Sequence, residues 1–303
     1  MKIIFNLLGV GLGNNGGSRT LVRLADELAA LGCSVNIAAT EYRNYTLTPL
    51  RVPICSKLEP CDALIATGYR SVGSTLQYNK AERKYYYIRG LEIWQAKELA
   101  LRRSFTSGLQ CITNAQWIQQ YIQQLGVACA WVPQGIDFHV WVDQHRKRKV
   151  DLGGVYHTKH QSKRHDAVLE TARLANCSVS LLGKDVLAQR DDELVTCYNR
   201  FLVWMSPSEN EGLQNCTMEA ALSGCALVLS DHPRNGAREY AIDRETCLVY
   251  PSRDLSIAAE CVSRLIGDNR LREKLIQNAR NAIRQIVGTK AEAAHQFLLS
   301  IQK

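Results

Sequence analysis

The chain has 303 residues, of which 46% are hydrophobic and 22% are charged, and its formal net charge is +8. This length and this apolar content suit a globular protein with two domains, each large enough to bury its own core. The positive charge would suit nucleic acid, an anionic membrane surface or a phosphorylated ligand. Because no nucleic-acid motif is recognisable, we expect no nucleic-acid partner.

In the first half of the chain, apolar strands alternate with helical stretches. The predicted strands are Lys2 to Leu8, Ser34 to Ala39, Ala63 to Ala66, Tyr85 to Ile88, Gln110 to Ile112 and Cys129 to Val132, and the predicted helices are Ser18 to Leu31 and Ala115 to Leu125. This alternation is typical of a parallel sheet flanked by helices, so we predict a Rossmann-like domain over residues 1–142.

A glycine-rich loop, Gly9 to Gly17, joins the first strand to the first helix. Within it, Gly11-x-Gly13-x-x-Gly16 has the dinucleotide-binding spacing, and Glu41 follows the second strand. An NAD-dependent oxidoreductase is therefore an alternative interpretation. Against it, the loop runs on to Ser18 and is longer than the tight turn of a dinucleotide site.

A charged segment, Asp143 to Lys149, separates the two halves. Its run of cations predicts a solvated linker over residues 143–150, with contact to an anionic lipid surface as the alternative. The chain opens without a signal-peptide pattern and has no run of about 18 apolar residues that could span a bilayer. We expect a cytoplasmic protein whose only membrane contact would be peripheral, at the inner membrane surface.

The alternation resumes after the predicted linker. The predicted strands are Asp151 to Tyr156, Ser178 to Leu182, Phe201 to Met205, Ala226 to Leu229 and Cys247 to Val249, and the predicted helices are Lys163 to Ala175, Asn215 to Leu222, Leu255 to Ile266, Leu271 to Ile286 and Lys290 to Ile301. We predict a second Rossmann-like domain over residues 151–286, and a final helix within 287–303 that packs back on the first domain.

The stretch Ser206 to Val228 is the most informative in the chain. An apolar strand ends there, Pro207 and Gly212 break the chain, and a helix follows with Asn215 as its predicted N-cap. The N–H groups and the positive dipole end of this helix could bind a diphosphate. Two carboxylates, Glu211 and Glu219, flank that position and could accept hydrogen bonds from ribose and sugar hydroxyls.

This stretch resembles the Pro-Ser-x-x-Glu-Gly-x7-Glu-Ala-x-x-x-Gly-x-x-Val signature of retaining glycosyltransferases of the glycosyltransferase family 4 type. The matching positions are Pro207, Ser208, Glu211, Gly212, Glu219, Ala220, Gly224 and Val228. Further segments that resemble the family are Val132 to Asp137, Asn235 to Glu239 and Cys247 to Pro251.

The resemblance implies the GT-B fold, an α/β architecture in which two Rossmann-like domains with parallel sheets face each other across a cleft and close on the donor. It also implies a retaining transferase without a metal ion or other cofactor. Such an enzyme would move a hexose or deoxyhexose from a UDP-sugar or GDP-sugar to a glycan or lipid-linked acceptor.

The resemblance further assigns roles to single residues. Glu211 is predicted to orient the donor sugar, Glu219 to hold the ribose and Lys163 to neutralise charge on the leaving diphosphate. The residues predicted to surround the diphosphate and donor are Gly16, Gly17, Ser18, Arg164, Gly212, Leu213, Gln214, Asn215, Cys216 and Thr217. Tyr85 to Trp94 resembles the segment that carries the acceptor-side acid, so Glu92 is predicted to serve the acceptor, with Trp94 as either a sugar-stacking ring or a core anchor.

The chain departs from the family pattern Gly-Arg-x5-Lys-Gly. Lys163 matches the lysine, but His157 takes the place of the arginine and Arg164 that of the second glycine. Since a histidine is only partly charged near neutral pH, either Lys159 or Arg164 is expected to supply the missing cation, or the site is weakened. The site residues predicted to take part in catalysis are therefore Glu211, Lys163, Glu92 and His157.

Three smaller points stay open at this stage. A metal cluster of His157, His160 and His165 is not favoured, because the spacing lacks nearby carboxylate or cysteine ligands. The helix N-terminus could lower the thiol pKa of Cys216, but inert packing is the favoured interpretation. The region from Gly183 to Asp192, which helps to frame the base in the family, looks shortened.

Eleven cysteines lie mostly inside apolar patterns without a Cys-x-x-Cys pair, which indicates buried reduced thiols. A catalytically degenerate protein that binds a sugar nucleotide or a partner is the alternative to an enzyme. The sequence leaves the sugar, the base, the acceptor and the oligomeric state open.

Overall fold

The computed structural model describes residues 1–157, 161–183 and 190–302. The chain forms two compact units. Unit 1 comprises Met1–Ile136 with Thr289–Lys303, and unit 2 comprises Asp137–Gly288.

Unit 1 is a parallel sheet flanked by helices. Its strands are β1 (Lys2–Asn6), β2 (Ser34–Ala38), β3 (Ile54–Cys55), β4 (Cys61–Ala66), β5 (Ala81–Ile88), β6 (Gln110–Thr113) and β7 (Cys129–Trp131). Its helices are α1 (Gly16–Ala30), α2 (Tyr69–Gln77), α3 (Glu98–Phe105), α4 (Gln116–Gln123) and, from the C-terminal end of the chain, α10 (Lys290–Gln302). The strand order is β3-β2-β1-β4-β5-β6-β7, with every pair parallel.

Unit 2 repeats the architecture on a smaller scale. Its strands are β8 (Val150–Val155), β9 (Val179–Leu182), β10 (Phe201–Ser206), β11 (Ala226–Ser230) and β12 (Leu248–Tyr250). Its helices are α5 (His165–Leu174), α6 (Asp191–Tyr198), α7 (Asn215–Leu222), α8 (Leu255–Gly267) and α9 (Asn269–Ile286). The strand order is β12-β11-β10-β8-β9, again with parallel pairs.

Each unit has its own core because its strands are buried on both faces, as parallel sheets require. In β5, three consecutive tyrosines, Tyr85 to Tyr87, are buried. The hydroxyl of Tyr85 donates to the carbonyl of Ile301 at 2.8 Å, and the ring of Phe297 meets that of Tyr87 edge to face at 5.1 Å. These contacts make α10 part of the first unit's core.

The boundary between the units lies before the charged segment that the sequence favours as a linker. Trp141 is buried and packs edge to face on Tyr198, and Asn199 donates to the carbonyl of Val142 at 3.0 Å. Arg148 pairs with Asp143 at 3.2 Å. The two ends of the segment are therefore held within unit 2 by a buried ring, hydrogen bonds and an ion pair, whereas His145 to Lys147 between them are exposed.

Candidate functional site

The site in unit 2 lies where the strand order reverses. The strands β8 and β10 are neighbours, and the chain leaves them towards opposite sides of the sheet. Ligands of open α/β sheets bind beyond the carboxyl ends of the strands at such a point. His157 lies two residues beyond β8, and the loop Pro207 to Gln214 follows β10.

Two predicted site residues, Lys163 and Glu211, are in direct contact. Their side chains form an ion pair, with 22% and 15% of their surfaces exposed. Burial lowers the pKa of Lys163, but the neighbouring Glu211 carboxylate raises it by more. The pKa of the lysine therefore lies above its ordinary value of 10.5. The lysine therefore stays a cation at neutral pH, paired with the carboxylate.

Arg164 has a structural position beside this pair. Its guanidinium donates to Glu209 at 2.9 Å and to the carbonyl of Ser252 at 3.2 Å. Its backbone φ is +50°, in the left-handed region where glycine is unstrained. This conformation explains why a glycine suits the position in the family pattern, and the side-chain contacts offset the strain here.

The loop that carries Glu211 contacts a second loop, which follows β11 and leads to Gly236. The N–H of Glu211 donates to the carbonyl of Arg234 at 2.9 Å, and a Cβ placed on Gly236 would lie only 1.8 Å from the carbonyl oxygen of Gly212. The two loops therefore approach backbone to backbone, which only a glycine at 236 allows. A 3-10 helix, Gly236–Glu239, starts at this contact, with the Asn235 side chain accepting from its backbone.

The N-terminus of α7 lies directly after this loop, as predicted, but its N-cap is Gln214 and not Asn215. The Gln214 side chain is buried and does not cap its own helix. Its Oε1 accepts from Ser206 at 2.7 Å and from Thr217 at 2.5 Å, and its Nε2 donates to Asn235 at 3.2 Å. These bonds fix the extended backbone from which the helix begins.

Among the predicted donor-binding residues around this helix, Leu213, Gln214 and Thr217 have buried side chains, so only their backbone could meet a ligand. Asn215 and Cys216 are half-buried. A helix N-terminus presents its first N–H groups without intrahelical acceptors, and α7 has no side-chain cap. The positive end of the helix dipole therefore lies near Lys163, whose charge acts on Cys216 in the first turn of α7.

Of the two interpretations of Cys216, the structure supports the favoured one, inert packing. Burial raises the pKa of its thiol to about 11, with Glu211 and Glu219 adding to the rise and Lys163 opposing it. The desolvation of a thiolate outweighs the helix dipole at this position. The thiol is protonated at neutral pH and packs as a small apolar group.

Glu219 lies inside unit 2, with only 1% of its surface exposed. Its Oε2 accepts a hydrogen bond from the hydroxyl of Tyr198 at 3.1 Å. The Tyr198 ring is itself held edge to face by Trp141 at 5.9 Å and by Trp204 at 5.1 Å. Sequence reasoning missed this contact of Tyr198, because nothing in the pattern of α6 connects it with the glutamate.

Unit 1 has a corresponding point of strand reversal between β1 and β4. The helix α1 begins there at Gly16, two residues before the predicted start, and the Asn15 side chain accepts from the N–H of Ser18 at 2.9 Å. Arg89, directly after β5, donates to the carbonyl of Gly17 and to that of Thr67 at 2.8 Å. It joins the glycine-rich loop to the end of β4.

The structure places Glu92 at the same edge of unit 1. Its Oε2 accepts from the N–H of Tyr69, the first residue of α2. Burial raises the pKa of Glu92 above its ordinary value, while the Tyr69 N–H and the nearby Arg89 oppose this rise. Trp94 is 49% exposed, so it is not a core anchor.

Two sequence predictions concern residues outside the described part of the chain. Lys159 and His160 lie in one gap, and positions 184–189 of the base-framing region lie in the other. Over residues 1–157, 161–183 and 190–302, no group of three His, Cys, Asp or Glu side chains is placed to hold a metal ion. No helix within these ranges combines the length and apolarity needed to cross a bilayer.

Known proteins are similar to this chain in the region that contains these residues. Residues 144–268, which contain the Lys163–Glu211 pair and α7, match the family described as Glycosyl transferases group 1. The capsular polysaccharide biosynthesis glycosyltransferase CapM of Staphylococcus aureus is 25% identical over 119 residues, which are 38% of this chain and 31% of CapM. The match thus spans about a third of the length of that relative.

Solved structures extend the similarity to the whole chain. Anabaena Alr3699/HepE in complex with UDP and glucose superposes with a TM-score of 0.76 at 13% identity, covering 100% of this chain and 99% of that one. For sucrose-phosphate synthase of Thermosynechococcus elongatus, the TM-score is 0.72 at 15% identity, and the superposition covers 100% of this chain and 98% of the synthase. For TarM of S. aureus, the TM-score is 0.66 at 16% identity, and the superposition covers 80% of this chain and 55% of TarM. These similarities confirm the predicted GT-B fold.

Proposed function

We propose that this protein is a glycosyltransferase that moves a sugar from a nucleoside diphosphate sugar to a glycan or lipid-linked acceptor. The observation that carries the proposal is the contact of Lys163 with Glu211, next to the N-terminus of α7 and at the reversal point of the second sheet. The family match covers these elements.

The donor would be bound by groups with separate tasks. A diphosphate at the N-terminus of α7 would accept hydrogen bonds from the first N–H groups and meet the positive end of the helix dipole. The family resemblance assigns the ribose hydroxyls to Glu219, which accepts from Tyr198. Because only 1% of its surface is exposed, its surroundings would have to rearrange for the ribose to reach it. Glu211 would accept hydroxyls of the sugar.

The ion pair also suggests how the site changes when the donor binds. Without a ligand, Lys163 and Glu211 satisfy each other's charge. A nucleoside diphosphate sugar offers its diphosphate to the lysine and its hydroxyl groups to the carboxylate. When the donor binds, the ion pair can therefore open, with Lys163 contacting the diphosphate and Glu211 accepting from the sugar. As the bond to the sugar breaks, the diphosphate gains negative charge, and a cation fixed beside it lowers the barrier.

This arrangement gives the leaving group a cation from the protein chain, and we propose that the reaction needs no metal ion or other cofactor. Retention of anomeric configuration is proposed from the resemblance of residues 206–228 to the retaining family alone. HepE has been solved with UDP and with UDP-glucose, so UDP-sugars are the first donors to test and GDP-sugars the second. A cytoplasmic location stays a prediction.

Unit 1 would serve the acceptor. Glu92 lies at the carboxyl edge of the first sheet with a raised pKa, which suits a group that hydrogen-bonds a sugar hydroxyl. The backbone of Gly16 and Gly17 begins α1 at this edge, where N–H groups can approach phosphate or sugar oxygens closely.

The test is sugar release and transfer from a panel of UDP-sugars and GDP-sugars, measured beside Glu211→Ala. The matched control is Glu260→Ala, because Glu260 is an exposed acid on α8 of the same unit. We expect turnover with one donor class, lost in Glu211→Ala and kept in Glu260→Ala.

His157 in the place of the family arginine favours one other function, a protein that binds the sugar nucleotide without turning it over. Tight donor binding without turnover, equal in the wild type and both variants, would overturn the enzymatic proposal in favour of that one.

A further inference from the structure

The two residues that flank Lys163 in the chain are both bonded to Glu209. The N–H of Glu209 donates to the carbonyl of Ser162 at 2.9 Å, and the Glu209 carboxylate accepts from the guanidinium of Arg164 at 2.9 Å. Lys163 lies between these two residues, and Glu209 lies two residues before Glu211. The segments that carry the Lys163–Glu211 pair are therefore joined by a second ion pair, Arg164–Glu209, and by a backbone hydrogen bond.

Further hydrogen bonds hold Arg164 in this place. Its guanidinium also donates to the carbonyl of Ser252 at 3.2 Å. Ser252 in turn donates from its N–H and from its hydroxyl to Asp231, at 2.8 Å and 2.9 Å. Glu209 follows β10, Asp231 follows β11 and Ser252 follows β12. The guanidinium thus connects the loops at the carboxyl edge of the second sheet.

The Arg164–Glu209 pair is shielded from solvent more than a surface pair is. Its side chains are 21% and 32% exposed, against 69% and 42% for the Arg173–Glu170 pair on α5. An exposed pair holds its two side chains only weakly, because water and salt screen the attraction. The partly buried pair, with its additional bond to a carbonyl, is better suited to fix a segment of the chain.

The backbone at Arg164 is strained, and the family pattern has a glycine at this position. The φ of Arg164 is +50° and its ψ is 50°, a conformation in which a residue with a Cβ is disfavoured. Strain that persists beside a functional site indicates a task for the residue that carries it. A glycine would relieve the strain and would lose the guanidinium, so the pair with Glu209 is a feature of this chain.

We propose that Arg164 and Glu209 are positioning residues that keep Lys163 next to the departing diphosphate. This inference rests on the proposed function, in which Lys163 leaves Glu211 for the diphosphate when the donor binds. Once that ion pair has opened, Glu211 no longer restrains the lysine, but the bonds of Glu209 to its two neighbours remain. A cation that is already in place needs no reorganisation as charge develops, so the pair supports the chemical step more than donor binding.

The first test compares donor turnover in Arg164→Gly, in Glu209→Ala and in the double variant. Each single change should lower kcat about tenfold and change KM for the donor little, because a misplaced lysine stabilises the transition state less. The double variant should be no slower than either single one, since both changes remove the same interaction. The control is Glu170→Ala, which breaks the exposed pair of α5 and should keep the kcat of the wild type.

Two other roles for these residues give different results. A merely structural pair would leave kcat unchanged in both variants and lower only Tm, whereas we expect Tm to change little in Arg164→Gly, because glycine adopts this backbone conformation without strain. If Arg164 bound the diphosphate itself, Glu209→Ala would free the guanidinium, and kcat would stay or rise in that variant while it fell in Arg164→Gly. Either result would refute the positioning role.

A second measurement needs neither donor nor turnover. The rate at which an N-hydroxysuccinimide ester modifies Lys163, followed by peptide mass spectrometry, reports how firmly the lysine is held. The rate should rise about threefold in Arg164→Gly and in Glu209→Ala and stay unchanged in Glu170→Ala, because a loosened ion pair protects the amine less. Exposed Lys274 is the internal reference.

The two measurements separate failure of this proposal from failure of the proposed function. Equal modification of Lys163 in the wild type and in both variants would overturn the positioning role, whatever the turnover. Faster modification in the variants of a protein that turns over no sugar nucleotide would refute the proposed function, while the placement of Lys163 by Glu209 would still hold.

Discussion

Replacement of Lys163 by methionine removes the cation from the pair and leaves the Glu211 carboxylate behind. Loss of one partner from a fully buried pair costs about 3–5 kcal/mol, whereas an exposed pair contributes about 1 kcal/mol or less. With 22% and 15% of the two side chains exposed, this pair is nearer the buried limit. We expect a loss of roughly 2–3 kcal/mol in the free energy of unfolding of unit 2.

For a unit of this size, each kcal/mol corresponds to about 2–4 °C in Tm. Lys163→Met should therefore lower the Tm of the unit 2 transition by about 4–12 °C in differential scanning calorimetry. The control is Arg173→Met, which breaks the exposed Arg173–Glu170 pair on the surface of α5 and should change Tm little.

The pH dependence of this difference has a definite sign. Because the pKa of folded Lys163 is raised above 10.5, its contribution to stability is fully present below that pH and is lost as pH rises through the folded pKa. The difference in Tm between wild type and variant should therefore stay constant near neutral pH and shrink only in strong alkali.

The same substitution should lower kcat by about 100- to 1000-fold if the lysine stabilises the departing diphosphate. A variant with unchanged Tm would refute the energetic argument for the ion pair. A variant with lower Tm but unchanged kcat would show that Lys163 has a structural role alone.

Three further predictions concern groups around the site. Tyr198→Phe should raise KM for the donor about fivefold and change kcat little, because it removes one hydrogen bond from Glu219; an unchanged KM would contradict the positioning role. Cys216 should resist iodoacetamide near neutral pH in the folded protein and react only as pH approaches 11, measured by peptide mass spectrometry; rapid alkylation at neutral pH would contradict its burial. Gly236→Ala should abolish nucleotide binding and destabilise unit 2 by roughly 2–4 kcal/mol, since its Cβ would strike the facing backbone. Its control, Gly267→Ala, has open space for a Cβ and should behave as the wild type in both assays.

The elements that the sequence predicted well are those with a strong apolar pattern between clear breaks. The helix α7 has the predicted bounds, Asn215–Leu222, and the buried strands of both sheets differ from prediction by a few residues at their ends. The helices α2, α3 and α6 were missed. Both α2 and α3 are short, eight or nine residues, and each has only two or three buried apolar or small positions among serines, a glycine or charged residues, so the pattern is too brief to stand out in the sequence.

The site was less accessible to sequence reasoning than the fold. Glu211 and Lys163 were found through resemblance to a family motif, and their ion pair depends on a tertiary contact that no local pattern encodes. Tyr198 and Arg89 were missed for the same reason. The N-cap was assigned to Asn215 from its residue type, whereas the N-cap is Gln214, whose side chain is held by buried hydrogen bonds with three neighbours.

The most direct test of the central claim is isothermal titration calorimetry with UDP, GDP and NAD on the wild type and on Glu219→Gln. We predict that the wild type binds UDP or GDP but not NAD. Glu219→Gln should bind the same nucleotide about 10- to 100-fold more weakly, because one of the two oxygen acceptors predicted to hold the ribose is replaced by a donor. Binding of neither UDP nor GDP, or equal affinity in the variant, would contradict the claim that unit 2 holds a nucleoside diphosphate sugar at α7.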